Sequence, residues 1–264
     1  MKRITTGTEN FKEFMDKNYY YVDKTMLIDD VLSDKVMLYT RPRRFGKTLN
    51  MSMLYYFFSN QEKENTYLFE GLNVSKHQHL MLHQNQYPVI FLSLKDLSRE
   101  NMNLQIDKFK AMISKVVEDY FELKDSPYLS EAEKLIIDNY HYKKSSESDL
   151  RDALYNLSIF LEKHYHQKVI ILIDEYDVPL QSAYQHDYYD EMVDFIRSVF
   201  SSALKTNDAL ERGVLTGCLR ISKESIFYCI MTTLYPFHHL LANHHVILKH
   251  HFLPVYVNHQ YSWL

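Results

Sequence analysis

The chain has 264 residues, 46% hydrophobic and 24% charged, with 30 Lys and Arg against 34 Asp and Glu for a formal net charge of −4. That length suits one large α/β domain or two small ones, and the slight acidic excess excludes non-specific coating of nucleic acid or acidic membranes. Two cysteines, Cys218 and Cys229, exclude a disulfide scaffold, the opening MKRITTGTENF has no secretory apolar stretch, and no run of about 18 apolar residues offers a membrane span, so the cytoplasm is the expected compartment.

In chain order, residues 1–34 read as an entry segment and a short helix over 26–32, with Asp23 as its expected cap. Residues 35–39 (KVMLY) form a short apolar run suited to a buried parallel strand. After RPRRFGKT, Leu49, Met53 and Phe57 recur at helical spacing, so that turn joins a strand to a helix. A second strand is expected at 88–94 (PVIFLSL), a long helix at 103–121, another at 131–140, and a helix at 149–164 with Leu150, Leu154, Leu157 and Leu161 along one side. The third strand, 169–173 (VIILI), runs into Asp174 and Glu175; a helix at 191–205 and a fourth strand at 213–216 (GVLT) follow. Continuously apolar strands alternating with helices predict an α/β fold, a parallel sheet covered on both faces.

Glycine is scarce. Average usage near 7% would give roughly 18 in such a chain, yet there are five, Gly7, Gly46, Gly71, Gly213 and Gly217, so each is expected to meet a backbone requirement.

The chemistry gathers in three segments. RPRRFGKT at 41–48 follows the phosphate-loop (Walker A) pattern G-x-x-x-x-G-K-[ST] except that Arg41 replaces the first glycine. Such a loop turns backbone N–H groups into one cup at a helix N-terminus. Arg43, Arg44, Phe45, Gly46, Lys47, Thr48 and Leu49 are the expected nucleotide-binding residues, with Lys47 on the β- and γ-phosphates and the Thr48 hydroxyl on Mg²⁺. A bare GKT is weak; a strand before it and an amphipathic helix after it favour the loop over an unliganded lysine at a helix start. VIILIDEYD at 169–177 then puts two carboxylates at a strand's carboxyl end, where α/β sheets bind ligands. Asp174 takes the Walker B place as the second Mg²⁺ ligand and Glu175 that of the water-orienting base. In GVLTGCLR at 213–220, Thr216 is placed to meet the γ-phosphate or attacking water and Arg220 to neutralise transition-state charge, although a surface arginine paired with an acid is nearly as good a reading of Arg220.

TRPRRFGKTLNMSML, YYYVDKT, LFEGLNVSK, YPVIFLSLKD, VIILIDEYDVPL and GVLTGCLRISKESIF together resemble the bacterial AAA-ATPase-like family, over residues 1–227 and in the family's order. The resemblance implies a P-loop core of the additional-strand type, with the fourth strand inserted beside the first, ATP with Mg²⁺ as ligands, and a PD-(D/E)XK nuclease-like domain as a frequent companion. It also implies a further strand and a helical lid after residue 227, which are not recognisable here. Residues 228–264 instead hold seven of the fourteen histidines, the only tryptophan and a single charged residue, Lys249. They are read as an atypical end, frame-shifted or otherwise aberrant; their histidine pairs recur every six residues, a spacing that does not stack them on one helix face, and no cysteine or acid lies among those pairs, which disfavours a metal tract. The expected function is Mg²⁺-dependent ATP hydrolysis. Two alternatives stay open: a nucleotide-regulated binding module for a nucleic-acid or protein partner, and an inactive fragment of a longer ATPase–nuclease protein.

Overall fold

The computed structural model describes residues 2–5 and 7–218. In chain order these form α1 (Phe11–Asp16), α2 (Leu27–Ser33), β1 (Val36–Thr40), α3 (Lys47–Phe58), 3₁₀ turns at Lys63–Phe69 and Asn73–Lys76, α4 (Gln78–Met81), β2 (Val89–Ser93), α5 (Met102–Asp119), a 3₁₀ turn at Phe121–Asp125, α6 (Glu131–His141), α7 (Glu147–Arg151), α8 (Ala153–Tyr165), β3 (Val169–Asp174), α9 (Val178–Gln185), α10 (Tyr189–Leu204) and β4 (Leu210–Gly217).

The four strands make one sheet in the order β1-β4-β3-β2, and all pairings are parallel. The fourth strand therefore lies between the first and third, as the resemblance implies. β3, at the centre, is buried at all six positions, which is why it reads as an unbroken apolar run. Its side chains alternate between two cores. Val169, Ile171 and Ile173 join Ile90 and Leu92 under α5, α6, α8, α9 and α10; Ile170 and Leu172 join Val89 and Val214 under α1, α2 and α3. Helices thus cover both faces.

α3 has Met51, Met53, Leu54, Phe57 and Phe58 all at or below 1% exposure. A helix apolar on most sides is one buried on most sides, and α3 lies between the sheet and α1. Ser52 Oγ accepts the Phe11 N–H at 2.9 Å, tying the two helices together. The position of α3 is therefore fixed by packing, and its N-terminus is aimed by the core.

Three local expectations differ from the structure. Asp23 does not cap α2, whose N-cap is Met26 without a side-chain bond. Its carboxylate accepts instead from the Thr25 N–H and hydroxyl and from the Asn73 N–H at 2.7 Å, so a long-range tie outcompetes the local cap. The single helix at 149–164 is two, because Asp152 leaves helical geometry at φ −104°, ψ 6°. α1, α4 and α9 are additional, each of eight residues or fewer and so offering at most about two turns of apolar repeat. Among the described residues no helix is long and apolar enough to cross a membrane.

Candidate functional site

β1 ends at Thr40, and the next six residues turn the chain into α3. Gly46 is the N-cap of α3 at φ +73°, ψ 25°, a left-handed conformation that glycine adopts without steric cost. Arg44 also lies at φ +70°. Two left-handed residues thus flank Phe45 in the turn that leads into the N-terminus of α3. Arg43, Arg44 and Gly46 are exposed, Phe45 is 57% exposed, and the Arg41 guanidinium stacks over the Tyr39 ring at 5.2 Å. Thr48 is half-buried, while Leu49 turns its side chain into the α1–α3 core.

Lys47 is the buried member of the loop, 5% exposed. Its ammonium donates to Arg41 O at 3.0 Å, Pro42 O at 3.2 Å and Cys218 Sγ at 3.2 Å. It is held by the loop it belongs to and by the end of β4.

Asp174 closes β3 with its side chain fully buried. Thr216 Oγ1, on β4, donates to Asp174 Oδ1, whereas Asp174 Oδ2 has no hydrogen-bond partner among the described residues. A buried, unpartnered carboxylate oxygen is costly unless a cation or water meets it. That fits a metal ligand. Among the described residues no three His, Cys, Asp or Glu side chains are grouped as a metal cage.

Glu175 follows at φ +55° and is half-buried; burial, and next the Asp174 charge, push its carboxyl above the ordinary range while Lys47 pulls it down. Its backbone N–H lies 3.4 Å from Thr216 Oγ1. Of the seven non-glycine residues with positive φ among the described residues, three are Asn or Asp, which tolerate it. Lys143 and His166 sit at the C-terminal ends of α6 and α8, where the left-handed turn is normal. The two that remain are Arg44 and Glu175, both at the carboxyl edge of the sheet. Unforced strain of this kind points to a functional site.

The structure thus brings Lys47, Asp174, Glu175 and Thr216 to one edge; Arg220 and residues 228–264 lie outside the described residues. Two further residues had no signal in spacing. Cys218 contacts Lys47 across 171 positions of sequence, and Asp177 accepts the Cys218 N–H at 3.1 Å. Lys95, just past β2, pairs with Glu9 at 3.0 Å and draws the N-terminal segment to the same edge.

Fold and site together define an α/β domain whose polar chemistry is collected at the carboxyl edge of a parallel sheet, between one helix N-terminus and two strand ends. The chain belongs to the family described as Predicted AAA-ATPase, which residues 5–227 match, and carries an ATPase-like domain of a family with nucleotide binding as its theme. It is 27% identical over 232 residues to the "Uncharacterized protein in vnfD 5'region" of Azotobacter chroococcum mcd 1, an alignment covering 86% of this chain and 39% of that protein. The chain therefore spans about two fifths of that relative's length. No solved structure matches.

Proposed function

We propose that residues 41–48 are a phosphate loop that binds ATP with Mg²⁺, and that the domain hydrolyses it. The observation that carries the reading is the pair of buried groups at one sheet edge: the Lys47 ammonium lodged against the end of β4, and Asp174 at the end of β3, tied to Thr216 of β4 and left with one oxygen that has no partner among the described residues. On this reading the N–H groups at 43–48 and the Lys47 ammonium bind the β- and γ-phosphates. The Thr48 hydroxyl and Asp174 would hold Mg²⁺, which would supply neutralising charge to the phosphates. Glu175 orients the attacking water and accepts its proton; burial raises its carboxyl above the ordinary range, which strengthens it as a base. Thr216 keeps Asp174 in place and is assigned to the γ-phosphate or the attacking water. Sequence also assigns Arg220 to the transition-state charge.

The test is ATP affinity and turnover in the presence and absence of Mg²⁺, for the parent and Asp174→Asn. The parent binds more tightly with Mg²⁺ and turns ATP over; the variant loses the Mg²⁺ dependence. Mg²⁺-dependent binding that is unchanged in folded Asp174→Asn would remove Asp174 from the site. Binding without turnover in the parent would favour the nucleotide-regulated binding module.

A further inference from the structure

Asp177 is 1% exposed and has no part in the reading above. Its Oδ2 accepts the Cys218 N–H at 3.1 Å and the Gln181 side-chain amide at 2.8 Å. Gly217 lies flat against the same carboxylate, since a Cβ there would stand 2.8 Å from Asp177 Oδ1 and 2.5 Å from Tyr176 Cε1. A buried carboxylate is retained where N–H donors converge on it, and here one of those donors is the backbone leaving β4.

That stretch of backbone holds the loop. Gly217 O accepts the Arg41 N–H at 3.2 Å, and Cys218 Sγ accepts from Lys47. An ammonium has three N–H donors. Two of Lys47's go to carbonyls of the loop itself, Arg41 O and Pro42 O, which travel with the loop. Among the described residues, only the Cys218 sulfur, just past the end of β4, ties the ammonium to the sheet.

We propose that Asp177 is a positioning residue for Lys47, acting through Cys218: its carboxylate fixes the chain at 217–218, and the Cys218 sulfur in turn fixes the ammonium beside the strand that carries Thr216. The proposal rests on the reading of 41–48 as the phosphate site. It explains why a buried acid sits three residues beyond Asp174 without facing the loop directly, and why residue 217 has no side chain. Gln181 shares the carboxylate but makes no link to the loop, so it serves as the control for a purely structural role.

The experiment is a double-mutant cycle on ATP affinity in Mg²⁺, using the full chain and checking each variant's fold by circular dichroism. Asp177→Ala weakens ATP binding about fivefold, the scale of one buried hydrogen bond passed on to Lys47. In a Lys47→Ala background the same change has less than about a twofold effect, because a residue acting through a missing partner has nothing left to position. Gln181→Ala leaves affinity within about twofold, and Asp177→Asn, which keeps an acceptor oxygen, recovers most of the loss. Should Asp177→Ala fail to fold, Cys218→Ala removes the relay itself and gives the same weakening and the same non-additivity. Additive effects of Asp177→Ala and Lys47→Ala, or of Cys218→Ala and Lys47→Ala, overturn the proposal. A parent that binds no ATP overturns the phosphate-site reading as well, so the two failures are told apart.

Discussion

The loop at 41–46 and the seam of 174–177 against 216–218 meet at Lys47, yet they are made by opposite means. The loop is exposed backbone, shaped by left-handed Arg44 and Gly46 and anchored by a lysine. The seam is buried side chain, with Asp174, Asp177 and Thr216 all at or below 1% exposure. A cup of backbone N–H groups tolerates varied side chains as long as its turns are kept. A seam of interlocked carboxylate, hydroxyl and glycine tolerates almost none. On the proposed reading affinity belongs mainly to the loop, while the seam carries chemistry and rigidity together, and substitutions on the two sides are expected to fail differently.

The largest effect is expected at the seam's exposed lip. Glu175→Gln keeps the side chain's shape and loses its ability to accept a proton, so turnover falls by about 100-fold or more, while ATP affinity stays near that of the parent. Single-turnover kinetics beside equilibrium binding separates the two. Equal turnover would make Glu175 a structural acid.

How much of this was legible in the sequence follows the same division. The loop could be read because its requirements are local: Gly46 and Lys47 at the start of an apolar helix are a pattern within eight residues. Asp174 was legible as the polar end of VIILI, because β3, a parallel strand buried at all six positions, leaves a continuous apolar run. β1, half-buried throughout, and β4, with the polar Glu211 and Arg212 near its start, carried weaker signals, and β4 starts at Leu210, ahead of its expected place. The partnerships of the seam were hidden. Nothing in DEYD says that its last carboxylate takes the backbone N–H of Cys218, 41 positions away, and nothing in GKT says that the lysine reaches that cysteine's sulfur. Asp23 shows the converse: a good local cap drawn away by Thr25 and Asn73. α1 had a local signal that periodicity passes over, Asn10 accepting the Glu13 N–H at 2.9 Å at its start.

Gly217→Ala tests the rigidity of the seam. Its Cβ would enter space occupied by the Tyr176 ring and the Asp177 carboxylate, neither of which has room to retreat. Overpacking of this kind costs about 1–3 kcal/mol, readable as a lower midpoint in thermal or urea unfolding. A midpoint equal to the parent's would mean that the seam is loose enough to absorb a methyl group.

The smallest effect is expected in the loop, and it has the opposite sign. Arg44→Gly releases the left-handed strain of a residue with a Cβ, offset in part by the freedom glycine adds to the unfolded chain, so stability rises by up to about 1 kcal/mol. The loop keeps its turn and ATP affinity changes little. A pronounced loss of affinity would show instead that the Arg44 guanidinium, and not merely its backbone, binds phosphate.

The claim on which the rest depends is that the ammonium of Lys47, lodged between the loop and the end of β4, is a phosphate ligand. The direct measurement is a calorimetric titration of the parent and Lys47→Ala with ATP in Mg²⁺. A saturable isotherm for the parent and an affinity lower by about tenfold or more in the folded variant are predicted, the loss of one charge-assisted contact worth roughly 1.5–3 kcal/mol. The same affinity in both folded proteins would contradict the account.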